Sequence, residues 1–195
     1  RGSVLNNRGT GSGGEESESE LLDSDVAYFS QTGTPNNGGV GLSLANCTFE
    51  NPCGPTDFSQ TGVNTLNSLL PNTLMFFNGG TYNALDATGS NPITLNSGQG
   101  VNARTADYSQ AATGSGRSVF NGAFILNTNN TLANIILLPT AATASGTGVT
   151  DNNGTNDFIR GSQIGNINNL YNVGVVISTN QLTITNSVIF GNNRG

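Results

Sequence analysis

Leu132-Ala-Asn134-Ile-Ile-Leu137, Ile159-Arg-Gly161-Ser-Gln-Ile164 and Ile184-Thr-Asn186-Ser-Val-Ile189 are three copies of one pattern. In each, an apolar residue is followed two positions later by Asn or Gly and five positions later by a second apolar residue. Successive copies lie 27 and 25 residues apart. Each is preceded by an Asn-bearing turn: Thr128-Asn-Asn130, Thr155-Asn156 and Thr179-Asn180. A fixed period of this length marks a repeat architecture. It is too short for a propeller blade and carries no leucine-rich consensus. It suits one coil of a parallel β-helix, in which short strands joined by turns stack on their equivalents in the next coil. Asn134, Gly161 and Asn186 then form a turn ladder, because Asn and Gly tolerate the left-handed backbone of a tight corner.

The surrounding texture agrees. From Asp25 onward, runs of three to six β-branched or aromatic residues alternate with Asn, Gly, Ser and Thr, as in Thr73-Leu-Met-Phe-Phe77 and Val173-Gly-Val-Val-Ile177. Such spacing predicts many short strands and an all-β fold. Thirty Asn in 195 residues follow if every coil needs several tight turns. The expected fold is a right-handed single-stranded parallel β-helix, a solenoid of about five coils; a β-sandwich with coincidental spacing is the alternative. A solenoid needs covered ends. Val63, Leu66, Leu69 and Leu70 place an apolar stripe on a short helix ending at Pro71, which reads as an N-terminal cap. The expected division is a cap over residues 26–72 and coils over 73–195.

Residues 1–25 carry six of the twelve acids and two of the six Arg, and the stretch from Gly9 to Glu20 has no apolar residue. Such a segment cannot offset the entropy of ordering. It reads as a solvated linker or tail, with an acidic docking tail for a basic partner as the functional alternative. The chain begins Arg1-Gly2-Ser3 and stops at Gly191-Asn-Asn-Arg-Gly195 within the repeat texture, so a fragment of a longer protein is expected.

Composition excludes several chemistries. The chain has no His, Lys or Trp, two Cys, and 9% charged residues, against about 25% in an ordinary soluble protein. Without His, Ser-His-Asp and Cys-His catalysis are out. Without Lys, so are a P-loop and a Schiff base. Two cysteines cannot close a four-ligand zinc site. Six Arg against twelve acids argue against nucleic acid as a partner. No apolar run approaches the ~20 residues of a membrane span.

Thr48-Phe-Glu-Asn-Pro-Cys53, the Leu-rich helix and Phe77-Asn-Gly-Gly-Thr-Tyr82 resemble the opening of pectin-lyase-like right-handed β-helix domains. Thr48, Glu50, Asn51, Pro52, Gly79, Gly80, Thr81 and Tyr82 carry the likeness, which covers about 35 residues. Cys53 stands where that pattern usually has an aromatic, and Gly54-Pro-Thr-Asp57 is added before the helix. Upstream, Tyr28-Phe-Ser-Gln-Thr-Gly33 looks like the strand leading into such domains in bacterial surface proteins. There they are similar to passengers of inverse autotransporters, the intimin/invasin-like adhesins. Polymorphic outer-membrane proteins come second, since Phe77-Asn-Gly-Gly80 and Phe120-Asn-Gly-Ala123 only approach their repeat motifs.

The resemblance implies an extracellular bacterial surface protein, joined in the full-length product to an outer-membrane barrel. It would act as an adhesin passenger or rigid stalk that binds a host or cell-surface protein or glycan without catalysis or cofactor. A purely structural spacer is a second possibility. In an exported chain Cys47 and Cys53 most simply form a disulfide; two reduced thiols in a cytosolic protein are the alternative.

The enzymatic rival is a pectate lyase-like enzyme. Glycoside hydrolysis usually needs two carboxylates, and outside the tail only Glu50, Asp57, Asp86, Asp107, Asp151 and Asp157 are available, none adjacent to another. A lyase could use Arg160 as base beside Asp157. Asp151-Asn-Asn153-Gly-Thr155-Asn-Asp157 is dense in oxygen ligands but lacks EF-hand spacing, so a solenoid turn is preferred to a calcium loop. Arg104 with Asp107, and Arg117, are expected on loops between coils. The stretches Asp86–Arg117 and Thr140–Thr155 are the expected projecting loops.

Overall fold

The computed structural model describes residues 26–35, 44, 46–59, 72–85, 88–141, 143–144, 146–152, 154–178 and 181–191. Their strands fall into three sheets. Sheet 1 holds β1 (Val26–Thr34), β2 (Leu74–Asn78), β5 (Gly100–Arg104), β8 (Thr131–Ala133), β11 (Asp157–Arg160) and β14 (Leu182–Thr185), in that spatial order. Sheet 2 holds β3 (Thr81–Ala84), β6 (Val119–Gly122), β9 (Ile136–Leu138), β12 (Gln163–Ile164) and β15 (Val188–Ile189). Sheet 3 holds β4 (Ile93–Thr94), β7 (Phe124–Leu126), β10 (Thr147–Asp151) and β13 (Val173–Ile177). From β2 onward the chain visits sheets 1, 2 and 3 in turn through four full circuits, then sheets 1 and 2 once more. The strands pair in parallel throughout. Parallel neighbours need a long crossover. Here each crossover is the passage through the other two sheets.

The sequence motif is what the register stacks. Leu132 pairs with Ile159 and Ile159 with Ile184, while Leu137 pairs with Ile164 and Ile164 with Ile189. These columns run back through Val101 to Met75 in sheet 1 and through Phe120 to Tyr82 in sheet 2. Ile93, Phe124, Val149 and Val175 form the sheet 3 column. Side chains alternate across a strand, so one face of each sheet feeds a single buried cluster containing residues of all three. The interior is aromatic at the β1 end, where Phe58 meets Phe29, Phe77 and Phe120 edge-on. It becomes aliphatic toward β14 and β15, where Ile184 and Ile189 are partly exposed.

Corners recur in columns too. Asn134, Gly161 and Asn186 have φ of 58°, 58° and 48°, and each directly follows a residue of the sheet 1 register. This is the expected ladder position. A second left-handed column, Asn72, Gly98, Asn129 and Asn156, lies two residues before the registered starts of β2, β5, β8 and β11. Asn134 N–H donates to Arg160 O at 2.9 Å and Gly161 N–H to Thr185 O at 3.0 Å, so backbone pairing continues around the corner. Beside it, Ser162 and Ser187 accept the amides of Ile135 and Ser162 from the preceding circuits.

Cys47 and Cys53 are joined as a disulfide with Cα atoms 4.8 Å apart, and both are buried in the main core. Their loop lies along the open edge of β1: Tyr28 N–H donates to Cys47 O at 2.9 Å, and Cys53 bridges Phe29 and Thr34. The tail at 1–25 and the expected cap-helix residues Val63, Leu66, Leu69 and Leu70 lie outside the described residues. The two expected projecting loops turn out to contain strands, β4 and β5 within 86–117 and β10 within 140–155. Val101 and Val149 point inward, but the residues around them on β5 and β10 are mostly small or polar (Gly100, Ala103, Gly148, Asp151), which hid those two strands.

Removing the disulfide with Cys47→Ser and Cys53→Ser should cost about 2 kcal/mol of unfolding free energy by loop closure alone, measured by urea denaturation. Gly161→Ala should cost about 1 kcal/mol or more, since φ is +58° and the new Cβ would stand 2.4 Å from Asn134 Oδ1. Asn134→Gly, which keeps the backbone conformation accessible, should be far milder.

Candidate ligand cleft

Where the pairing of β1 with β2 stops and β2 and β5 end, Ser30, Asn78 and Arg104 stand in register across three successive strands. They border a cleft of about 590 Å³ whose walls also include Gln31, Thr105 and Thr113. Its rim is the connection from β5 to β6, residues 105–118. The connection is held by Tyr108, which takes a left-handed backbone (φ 57°) and buries its ring against Tyr28 and Phe49 on the outer face of sheet 1. Its hydroxyl donates to Phe29 O at 2.9 Å, and burial raises its pKa well above the ordinary phenol value. Further on, Arg117 Nη1 donates to Gly161 O at 3.2 Å, tying the end of the connection to a corner two circuits away.

Most of the cleft's wall is apolar, with amide and hydroxyl groups and one cation set into it. Gln31 Nε2 donates to Thr81 O at 2.8 Å, a placement that requires Gly80, because a Cβ there would meet Gln31 Cγ at 2.0 Å. Asn78 Nδ2 donates to Ala106 O at 3.3 Å. The Arg104 guanidinium donates to Tyr108 O and Ser109 O, each at 3.0 Å, and lies 4.8 Å from the centre of the Phe76 ring. Partial burial lowers its pKa from the ordinary value; a guanidinium stays charged regardless. Asp107 caps the first turn of the connection, accepting from the Thr105 hydroxyl at 2.6 Å and the Ser109 hydroxyl at 2.8 Å. Those bonds hold its carboxyl at about 2.

The other residues singled out in the sequence are placed apart from this cleft. Asp157 and Arg160 occupy the same strand, but the Asp157 side chain is buried and that of Arg160 exposed, so they face opposite sides. The lyase pairing of base and carboxylate is not assembled there. Asp151 is buried and accepts from Gly154 N–H at 2.9 Å, closing its turn. Among the described residues no group of three or more acidic, Cys or His side chains could hold a metal ion. Asp57 is buried and accepts from Gly54 N–H at 2.9 Å, and Asp86 lies outside the described residues. Sequence reading missed Tyr108, whose role rests on a turn conformation and a distant partner. It gave no role to Gln31 and Asn78, although both lie in the quoted stretches Tyr28–Gly33 and Phe77–Tyr82.

Comparison with protein-family models, with curated proteins and with solved structures finds no match. The pectin-lyase-like resemblance therefore rests on the residues that carry it and on the three parallel sheets.

Tyr108→Ala should cost about 3 kcal/mol of stability and expose the flanking Arg104 and Arg117 to trypsin, readable by urea denaturation and by the position of limited cleavage. Asp107 titrates below its ordinary value, so its contribution is present above the unfolded-chain value near 4 and is lost as pH falls toward about 2. The side-chain carboxyl resonance of Asp107, followed by NMR, should show that low midpoint, and Ser109→Ala should raise it.

Proposed function

We propose that the three sheets close into one right-handed parallel β-helix, and that the protein is a non-catalytic surface element of a bacterial cell. In this reading it is an adhesin passenger on a rigid stalk, with its full-length form anchored at the outer membrane. Its ligand is a host or neighbouring-cell glycan received by the cleft beside β1, β2 and β5. The observation that carries the reading is the lining of that cleft: a largely apolar wall bearing amide and hydroxyl groups from β1, β2 and the connection after β5, with one cation whose donors are partly engaged by the rim backbone. Such a surface suits sugar hydroxyls, which pair with neutral donors and acceptors. Strand spacing near 4.8 Å fixes the separation of these groups, so recognition is geometric. A low-charge surface also depends little on salt.

The experiment is binding of the intact chain to an array of glycans and matrix proteins, repeated with Gln31→Ala and Asn78→Ala. A glycan should be retained, and each substitution should weaken it on the order of tenfold, the loss of one or two hydrogen bonds. Silence across the array would favour the spacer reading. Release of unsaturated uronate from a polysaccharide would favour the lyase.

A further inference from the structure

Four of the sheet 1 strands, β2, β5, β8 and β11, begin at or just after a buried polar residue. Thr73, Gln99, Asn130 and Asp157 are all fully buried, and each directly precedes a member of the registered series Leu74, Gly100, Thr131 and Phe158. They form a polar column inside the corner between sheets 3 and 1. Two of the four fasten their own turn, and Asp157 fastens the strand start of the circuit before. Gln99 Oε1 accepts from Asn96 N–H at 3.0 Å. Asn130 Oδ1 accepts from Asn127 N–H at 2.7 Å, and its Nδ2 reaches into the preceding circuit, donating to Asn96 O at 2.7 Å and Gln99 O at 3.0 Å. Asp157 Oδ1 accepts from Asn130 N–H at 2.7 Å.

The other oxygen of Asp157 is the exception. Asp157 Oδ2 is sealed from solvent and has no hydrogen-bond partner among the described residues. Its surroundings identify what it faces. Asn96 and Asn127 each lie two residues beyond the registered pair Thr94 and Ile125, so Asn127 stands to Asp157 as Asn96 stands to Asn130. A Cβ built on Gly154 would lie 1.7 Å from Asn127 O and 2.0 Å from Asp157 Oδ2; the two oxygens converge on one point. Where Asn130 offers an N–H to the carbonyl of the circuit before, Asp157 offers a second acceptor. A buried carboxyl oxygen set this close to a carbonyl oxygen needs a proton between them.

Nothing described nearby would neutralise a carboxylate. Asp151, at the end of β10, is also buried and is of like sign. The neighbouring strands β8 and β14 carry no titratable side chain. Arg160, on Asp157's own strand, points outward.

We infer that Asp157 is carried in the fold as a neutral carboxylic acid whose Oδ2–H donates to the Asn127 carbonyl, making this rung a pH-sensitive fastener between successive circuits. Burial, opposed by the Asn130 amide and reinforced by Asp151, pushes the Asp157 carboxyl up to about 6. The folded value therefore lies above the unfolded one. The stability the proton supplies is complete below about 4, declines between the two values, and is gone once pH has risen through about 6. The stack is tightest in mildly acidic surroundings. This holds whether or not the cleft binds a glycan.

Two measurements on the full chain decide it. Side-chain carboxyl NMR of the unsubstituted protein should give Asp157 a midpoint near 6; a midpoint at or below the ordinary aspartate value would overturn the inference, and this needs no variant to fold. Urea unfolding of the protein and of Asp157→Asn at pH 7.5 and 4.5, probe conditions of about neutral and mildly acidic solution, should place the variant's midpoint above the parent's at the higher pH. Its amide can donate as Asn130's does, and the gap should close or reverse at the lower pH. An equal destabilisation at both pH values would overturn it. So would a rise in the parent's unfolding midpoint on adding calcium chloride that the variant lacks, which would make Asp157 a cation ligand.

Discussion

Parallel stacking imposes one constraint from which the other features follow: whatever a residue does at its place in a circuit, the residues one circuit before and after must be able to do beside it. Backbone amides of one rung are satisfied by carbonyls of the next. A rung that slipped by one residue would turn its apolar side chains out and its polar ones in. The register therefore fixes columns, and columns fix composition. Part of the Asn content follows from it, because Asn72, Asn129, Asn134, Asn156 and Asn186 fill left-handed corners that must accept positive φ.

The interior answers the same constraint with graded size. At the β1 end, the rings of Phe29, Phe58, Phe77 and Phe120 fill the space, and the Cys47–Cys53 loop lies across the outer edge of the strand. Farther along, branched aliphatics take over and the side chains of Ile177, Ile184 and Ile189 are exposed. The two ends thus differ in kind: one is lined by a covalently pinned segment and packed aromatics, and at the other the last described strands are the aliphatic β13, β14 and β15.

Legibility follows the same division. The repeated motif was readable because its two apolar positions and its corner residue all face strict demands in every circuit. Leu132, Ile159 and Ile184 are recognisable without any structure. The earlier circuits were harder to read. Val101 pairs with Met75 and with Leu132, yet the strand around it is Gly-Val-Asn-Ala-Arg, with a single large apolar residue. Its environment is supplied by neighbours 26 and 31 residues away rather than by its own segment. The cleft was invisible for a related reason. Ser30, Asn78 and Arg104 share no local pattern and meet only because the register sets three strands side by side. The buried polar column was half legible: the Asn-bearing turns were seen, but not that the residue after each left-handed position points inward.

That column also shows how a repeat can tolerate chemical variety. Gln99, Asn130 and Asp157 occupy one position, the first two with a side-chain amide NH2 to give and the third with none, and each finds a different set of partners. Leu182 continues the series beyond Asp157, replacing the polar group with an apolar one. A column of identical Asn would fasten every circuit equally. A column that changes from Gln to Asn to Asp to Leu fastens them unequally, and confines any response to proton concentration to the rung where a carboxyl replaces an amide. The shape of the stack is common to all its circuits; its sensitivity belongs to one.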